Sequence, residues 1–113
     1  MRAYRKGADA ERELAKLLRA KRFAVVRSAR SGGKISVPDV VAIKNGRIYA
    51  FECKASRKKP WLTQEELREL EKWGRKARAK ILVAWRRRAK WKFLEIRKGR
   101  VNFEKLYDLN VLK

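Results

Sequence analysis

The sequence contains no histidine, and its single cysteine is Cys53. One cysteine cannot form a disulfide within the chain, and zinc sites of the Cys/His type need several such ligands. Without histidine the protein has no imidazole to activate a nucleophile or to act as a general acid. These absences exclude histidine-dependent hydrolysis and the common zinc sites. They also disfavour a metal-independent RNA endonuclease, which usually needs a histidine for proton transfer.

Long apolar runs are missing as well. No stretch of about 18 apolar residues could form a transmembrane helix, and the N-terminus lacks the apolar core of a signal peptide. We therefore expect a cytoplasmic protein. The 113 residues, 45% of them hydrophobic, suffice for one packed core, and we predict a single domain spanning residues 1–113. A single glutamine, three asparagines and 40% charged residues are typical of a hyperthermophile.

Acidic residues are few. The chain has 12 Asp and Glu against 33 Lys and Arg, which gives a formal net charge of +21 and a sequence pI near 11.0. The positive charge is spread over the whole chain, which indicates a folded basic surface. The like charges of such a surface repel one another, and they promote binding to a polyanion such as nucleic acid. A ribosomal or chromatin-type protein would carry the same charge without any chemistry.

The strongest local signal is Asn45-Gly46, which lies between two apolar runs and is typical of a two-residue hairpin turn. Counting outward from this turn places Asp39 directly opposite Glu52. Lys54 follows two residues later on the same face. The pairs between the turn and the carboxylates share that face: Ile43 with Ile48 and Val41 with Ala50.

Two carboxylates in opposed positions repel each other, because their β-carbons lie only about 4.5–5.5 Å apart. A divalent cation bound between Asp39 and Glu52 would offset that repulsion, since hard cations take oxygen ligands. The alternative is an exposed edge hairpin on which both carboxylates point into water and Lys54 pairs with one of them. The apolar residues on the same face favour the metal site.

A third carboxylate can be placed independently. The segment 5–21 is predicted to be a helix, and Glu11 falls on its apolar stripe, so it should face the sheet and point into the same pocket as Asp39 and Glu52. Glu11 could instead only interact favourably with the positive end of the helix dipole. Glu13 falls off the stripe and is predicted to be a solvated charge. The stripe consists of Gly7, Glu11, Leu14 and Leu18.

A second helix has a clear beginning. Thr63 can cap it, with Glu66 as the reciprocal partner of a capping box. Leu62 and Leu67 can form the hydrophobic staple that accompanies such a cap. Strands are predicted over 23–29, 81–85 and 91–96 in addition to the two of the hairpin, with a glycine-containing loop over 30–36. We therefore predict an α/β domain with a central mixed five-stranded sheet flanked by helices.

The acidic residues and their neighbours resemble a known superfamily. An acidic helix residue, a Pro-Asp strand and a Glu-X-Lys strand form the PD-(D/E)XK nuclease pattern. Longer segments resemble one branch of it, the archaeal Holliday junction resolvases, over about residues 4–54. The matching segments are Glu11, Val37-Pro38-Asp39 and Glu52-Cys53-Lys54, with Tyr4-Arg5-Lys6-Gly7, Glu11-Arg12-Glu13-Leu14 and Phe23-Ala24-Val25-Val26-Arg27-Ser28-Ala29.

The resemblance implies a restriction-endonuclease-like fold and a DNA endonuclease that resolves four-way junctions in recombination and repair. In such an enzyme Glu11, Asp39 and Glu52 hold Mg²⁺, for which Mn²⁺ can substitute, and Lys54 stabilises the transition state. Ser31 on the loop corresponds to a family serine that takes part in catalysis. Ser28 and Ser36 are the alternatives for that alignment, and a solvated hydroxyl is the alternative for its role.

The resemblance and the basic composition together predict the partners. Branched DNA is the expected substrate, and a homodimer is implied because a four-way junction has approximate two-fold symmetry. One or two of the four tryptophans could serve the dimer contact. Another repair or branch nuclease of the same fold, or a non-enzymatic architectural protein, are the alternatives. The residues expected to contact DNA are Arg5, Lys6, Arg12, Arg27, Arg30 and Lys34.

Overall fold

The computed structural model describes residues 2–28 and 37–107, with the backbone alone for residues 2–6 and residue 105. In chain order the described elements are α1 (Arg2–Ala20), β1 (Ala24–Arg27), β2 (Val40–Lys44), β3 (Arg47–Ala55), α2 (Gln64–Ala77), β4 (Lys80–Arg87), β5 (Lys90–Arg97) and β6 (Arg100–Tyr107). The predicted loop over 30–36 lies outside the described residues, and so do Arg30, Ser31 and Lys34.

The strands of the described ranges form one six-stranded sheet in the order β1-β2-β3-β4-β5-β6. Neighbours are antiparallel except β3 and β4, which are parallel and connected through α2. The predicted mixed sheet flanked by helices is confirmed. The predicted number of five strands was too low, because β6 follows a Lys98-Gly99 turn that carries a weaker sequence signal than Asn-Gly.

The hairpin of β2 and β3 has the predicted register. Lys44 pairs with Arg47, and the turn residues Asn45 and Gly46 have φ values of 52° and 78°. This left-handed backbone at both positions matches the right-handed twist of the strands, and asparagine and glycine adopt it at little cost. The predicted pairs of Ile43 with Ile48 and Val41 with Ala50 are also present.

The second helix begins where its capping residues predict. The Glu66 amide donates to the Thr63 hydroxyl at 3.0 Å, and the Thr63 amide donates to the Glu66 carboxylate at 2.9 Å. Leu62 and Leu67 are both buried, as a hydrophobic staple requires. The helix is followed by Arg78 in a left-handed conformation with a φ of 52°.

The two helices cover opposite faces of the sheet, because side chains alternate along each strand. Leu14 and Leu18 of α1 pack against one face, and Leu67 and Leu70 of α2 pack against the other. The first core contains Phe23, Val40, Ala42, Tyr49, Phe51, Cys53, Leu82, Ala84 and Phe93. The second contains Ala50, Leu62, Ile81, Val83, Trp85, Leu94 and Ile96.

The second face is covered only in part. Val26 of β1 and Ile43 of β2 lie on the same side as α2, as their pairing with Val41 and Ile48 shows, yet they are 62% and 40% exposed. The helix lies over β3, β4 and β5 and leaves the β1–β2 end of this face open. In the part of the chain that the structure describes, no helix is long and apolar enough to cross a membrane.

Candidate active site

Asp39 is fixed at the point where the pairing of β2 with β3 ends. Pro38 precedes it and has no amide hydrogen, so it cannot donate to β3 and continue the ladder. The Cys53 amide of β3 donates to Asp39 Oδ2 at 2.8 Å. With its side chain buried and the residue only 4% exposed, Asp39 places its carboxylate where a backbone carbonyl would otherwise accept.

The backbone at Asp39 departs from regular pairing. The last regular pair is Val40 with Phe51, and the Asp39 amide also donates to the Phe51 carbonyl at 2.8 Å. Two consecutive residues therefore face one residue of β3, which is the arrangement of a β-bulge. The prediction that Asp39 lies directly opposite Glu52 is wrong by this one residue, because a count from the turn assumes regular pairing throughout.

Ser28 holds this segment from the other side. Its hydroxyl donates to the Pro38 carbonyl at 2.8 Å, and its amide donates to the Asp39 carbonyl at 2.9 Å. Hydrogen bonds thus join the Pro38-Asp39 segment both to Ser28, which follows β1, and to β3. Ser28 has a positional role here, whereas Ser31 and Ser36 lie outside the described residues.

Glu52 and Lys54 lie on one face of β3. Lys54 Nζ is 3.9 Å from Glu52 Oε2, and the two side chains are 31% and 13% exposed. Because Glu52 is in register with Val83, both lie on the face that α2 covers. The distance is long for an ion pair, so Lys54 contributes an ammonium group beside the carboxylate without being tightly bound to it.

Glu11 comes from the opposite side of the sheet. It is 6% exposed, on the buried stripe of α1 with Leu14 and Leu18, as predicted. The Arg27 guanidinium, at the end of β1, donates to Glu11 Oε1 at 3.4 Å. A buried carboxylate needs such a partner, because desolvation disfavours its charge.

The three predicted carboxylates therefore lie in three different positions relative to the sheet, and the described side chains do not form the common pocket that was predicted. Glu11 lies on the α1 side, Glu52 on the α2 side, and Asp39 in the plane of the sheet where the ladder ends. Within residues 7–28 and 37–107, no three acidic, cysteine or histidine side chains form a group that could hold a metal ion. The alternative of an exposed edge hairpin is wrong for Asp39, which is buried, and for β3, which lies inside the sheet.

Some predicted DNA-contacting residues can be located. Arg12 is exposed and pairs with Asp9 one helical turn earlier, at 2.7 Å. Arg27 is 34% exposed beside Glu11. Arg5 and Lys6 lie in α1, where only the backbone is described. Their DNA contacts stay a prediction.

Glu13 is the residue that sequence reasoning missed. Its carboxylate accepts from Arg86 Nη1 and from the Trp91 indole nitrogen, each at 2.8 Å. The Glu13 side chain is 41% exposed, but the prediction of a merely solvated charge is wrong, because α1 also packs beside the ends of β4 and β5, more than 70 residues later. The spacing of apolar residues along α1 could not predict this contact, because it indicates only which face of the helix packs against the core.

The fold, the resemblance and these positions can be compared with known proteins. A family model described as archaeal Holliday junction resolvase matches residues 2–109. The chain belongs to this family. The mixed sheet also matches a solved member, Hjc of Archaeoglobus fulgidus, a Holliday junction resolvase from an archaeal hyperthermophile. The TM-score is 0.71, with 31% identity over 80% of this chain and 73% of that one.

Two curated relatives are crossover junction endodeoxyribonucleases named Hjc. The protein of Methanocaldococcus jannaschii is 44% identical over 59% of this chain and 48% of its own length. That of Sulfolobus acidocaldarius is 33% identical over 79% of this chain and 65% of its own length. The matches thus span about half to two thirds of these relatives.

Nucleases of this family generally use a divalent metal ion. The donor chemistry of the candidate site fits such an ion, because its buried acids offer oxygen ligands only. Asp39 Oδ2 is occupied by the Cys53 amide. The long contacts at Glu11 and Glu52, 3.4 Å to Arg27 and 3.9 Å to Lys54, are ones that a stronger ligand could replace.

Proposed function

We propose that this chain is an endodeoxyribonuclease that resolves four-way DNA junctions in recombination and repair, acting in the cytoplasm as one nuclease domain. One observation carries the proposal. The buried Asp39 carboxylate is bonded to the amide of Cys53, the residue between Glu52 and Lys54. Burying a carboxylate costs folding free energy, so its position beside a second carboxylate and a lysine favours a catalytic role over a stabilising one.

The proposed cofactor is Mg²⁺, with Mn²⁺ as a substitute. Asp39, Glu52 and Glu11 would hold it through their carboxylate oxygens, which hard divalent cations prefer. When bound, the ion makes water more acidic and neutralises charge on the scissile phosphate. The bulge supports this assignment, because such irregularities occur next to active sites, where they redirect a side chain.

Other groups of the protein have proposed roles in addition to holding the metal ion. Lys54 would stabilise the negative charge that develops on the phosphate, because its ammonium lies beside Glu52 and is 31% exposed. The Cys53 amide fixes the orientation of Asp39, so no reorganisation is needed during the reaction. Ser31, in the segment predicted to be a loop, is the proposed catalytic serine.

DNA would lie against the side of the molecule that carries α1 and the end of β1. Arg27 is partly exposed there and would exchange its 3.4 Å contact with Glu11 for a backbone phosphate. The exposed Arg12–Asp9 pair adds little stability, so Arg12 can also turn to DNA. The full proposed set is Arg5, Lys6, Arg12, Arg27, Arg30 and Lys34.

The proposed active form is a homodimer, since a two-fold junction needs two equivalent cuts. The open β1–β2 end of the α2-side face offers the apolar surface, with Val26 and Ile43 exposed. Trp61, 76% exposed, is the tryptophan proposed for the contact. Val26→Glu should shift sedimentation from dimer to monomer, while Leu106→Glu, at another exposed apolar residue, should not. Dissociation by Leu106→Glu alone would place the interface elsewhere.

The function is tested with an immobile four-way junction beside a linear duplex of the same sequence. The wild type should cut the junction when Mg²⁺ is added and leave the duplex intact. Glu52→Ala should abolish cleavage and bind the junction at least as tightly, because it removes a negative charge near the phosphate. Glu65→Ala, an exposed acid of α2, is the control and should cut normally.

The assay also separates the alternatives. Tight junction binding without cleavage at any Mg²⁺ concentration would indicate an architectural protein. Preferred cleavage of flaps over junctions would indicate another branch nuclease of the same fold. Normal cleavage by Glu52→Ala would overturn the proposed site.

A further inference from the structure

A second charged site lies at the ends of β3 and β4. We call it the basic pocket: an open cavity of about 370 Å³ lined by Glu13, Ser56, Arg57, Arg86, Arg88 and Ala89. Its three arginines face a single acid, so the lining carries a net charge of +2. Arg57 and Arg88 are exposed, and Arg86 has a side chain only 19% exposed.

The pocket is continuous with the elements that carry the candidate site. Ser56 follows Lys54 by two residues, about 7 Å along an extended chain. Ser56 stays attached to β4, because its amide donates to the Arg86 carbonyl at 3.2 Å and its carbonyl accepts from the Trp85 indole at 2.9 Å. On the other side, Glu13 follows Glu11 by two residues in α1.

The inner arginine is held in a fixed orientation. Glu13 Oε1 accepts from Arg86 Nη1 and Oε2 accepts from Trp91, each at 2.8 Å. A guanidinium has five N–H donors in a planar fork, and the Glu13 contact involves only the Nη1 group. Arg86 therefore enters the pocket with its rotamer fixed and with donors beyond those that Glu13 accepts, a preorganised arrangement for an anion.

The outer wall is a strained turn. Arg88 and Ala89 connect β4 to β5 and have φ values of 50° and 63°. Residues with a β-carbon adopt this left-handed conformation at a cost, and such strain is found at functional sites. The turn places a long cationic side chain at the mouth of the pocket, where asparagine or glycine would give a better turn but no charge.

We propose that the basic pocket is a binding site for one backbone phosphate of the DNA substrate, contacted by Arg57 and Arg88, with Arg86 as the inner donor and Glu13 as its positioning residue. This inference rests on the proposed function and extends it. The fork of arginine matches a phosphate diester, which offers two unesterified oxygens to paired N–H groups. The site would hold a DNA strand where the end of β3 meets the turn between β4 and β5.

The first test measures how junction affinity depends on salt, in EDTA so that no strand is cut. Losing one phosphate contact lowers the slope of log K against log salt by about 0.9. Arg57→Ala/Arg88→Ala should show this change, with about a tenfold loss of affinity near 0.1 M salt. Arg68→Ala/Arg75→Ala, which removes two exposed arginines of α2, should leave the slope unchanged.

The second test uses Glu13→Gln. If the pocket takes a phosphate, removing its one negative charge should tighten junction binding about two- to fivefold. Glutamine keeps an oxygen that can accept from Arg86, so the orientation of Arg86 is retained and only the negative charge is lost. Unchanged or weaker binding would therefore count against a phosphate in the pocket. Thermal melting checks that each variant folds.

The outcomes separate this inference from the proposed function. If the wild type cuts junctions but the Arg57/Arg88 variant keeps its affinity and salt slope, the phosphate site is overturned while the nuclease stands. If the wild type never cuts, the proposed function fails, and a reduced slope in the variant would still support the phosphate site. Equal slopes in the pocket variant and in the α2 control would also overturn it.

Discussion

Two hairpins of this sheet have the same turn geometry built from different residues. The β2–β3 turn uses Asn45-Gly46, with φ values of 52° and 78°, and the β4–β5 turn uses Arg88-Ala89, with 50° and 63°. Asparagine and glycine adopt this backbone readily, whereas arginine and alanine do so at a cost of about 1–2 kcal/mol per residue. The first turn could be predicted to the residue, whereas the second has no asparagine or glycine that would mark it as a turn.

The difference parallels the roles proposed for the two hairpins. In the first, the proposed chemistry is at the far end of the strands, around Asp39 and Glu52, and the turn only needs to set the register. In the second, the turn itself contributes Arg88 to the basic pocket. At this turn, residues that adopt the backbone at a cost also supply a positive charge to the pocket.

The largest effect is expected at Asp39, at the end of the first hairpin that lies away from its turn. Asp39→Asn keeps an oxygen that can accept from Cys53, so folding should be preserved, but it removes the charge that a metal ion requires. We expect junction cleavage to fall by about a thousandfold with binding retained, measured in single-turnover assays. Glu65→Gln is the matched control at an exposed acid. Cleavage within tenfold of wild type would mean that the first hairpin carries no chemistry.

The next effect tests the turn of the first hairpin. Gly46→Ala adds a β-carbon that meets no atom within 4 Å, so the φ of 78° is the only source of strain. We expect a loss of about 1–2 kcal/mol in the free energy of unfolding, measured by urea titration. Gly7→Ala, in α1 and equally free of contacts, should be neutral or stabilising. Equal changes in stability for Gly46→Ala and Gly7→Ala would show that the positive φ at residue 46 causes no strain.

A smaller effect concerns how Asp39 is held. Ser28→Ala removes the donor to the Pro38 carbonyl and should cost about 1 kcal/mol in the free energy of unfolding. The cleavage rate should fall only to the extent that Asp39 becomes more mobile. Ser31→Ala should show the opposite pattern, with unchanged stability and slower cleavage. Reversal of the two results would assign the catalytic hydroxyl to Ser28.

The smallest effect tests the second turn. Ala89→Gly relieves a strained left-handed residue but makes the unfolded chain more flexible, so the net gain should be about 0.5 kcal/mol. Junction affinity should stay the same, because Ala89 contributes no charge. If Ala89→Gly destabilises the protein, the strain assigned to this turn is wrong, and the contrast between the two hairpins disappears.

Much of the fold could be read from local signals. The capping box at Thr63 and the Asn-Gly turn each depend on residues within a few positions, and both were located correctly. The last strand was missed because its turn has no such signal and because its pairing with β5 contains a register shift near Leu94 and Ile96. Irregular pairing weakens the alternation by which strands are recognised.

The burial of two proposed site residues could be predicted from the sequence, but the arrangement of the site could not. Burial of Glu11 followed from the helical stripe, and burial of Asp39 from its apolar neighbours. The bulge at Asp39 depends on Pro38, Ser28 and β3 together, and the Glu13 contacts depend on strands more than 70 residues away. No local pattern encodes contacts at that separation.

The sequence by itself determined all the described elements except β6, the β2–β3 register as far as Val40, and the absence of histidine chemistry, because propensity, alternation and composition act over short distances. Only the tertiary structure decided that α1 and α2 cover opposite faces, and that Asp39 lies in the plane between Glu11 and Glu52. It alone brought Glu13, Arg57, Arg86 and Arg88 around one pocket. These placements follow from how the sheet is ordered and covered, which is fixed by packing of all elements together.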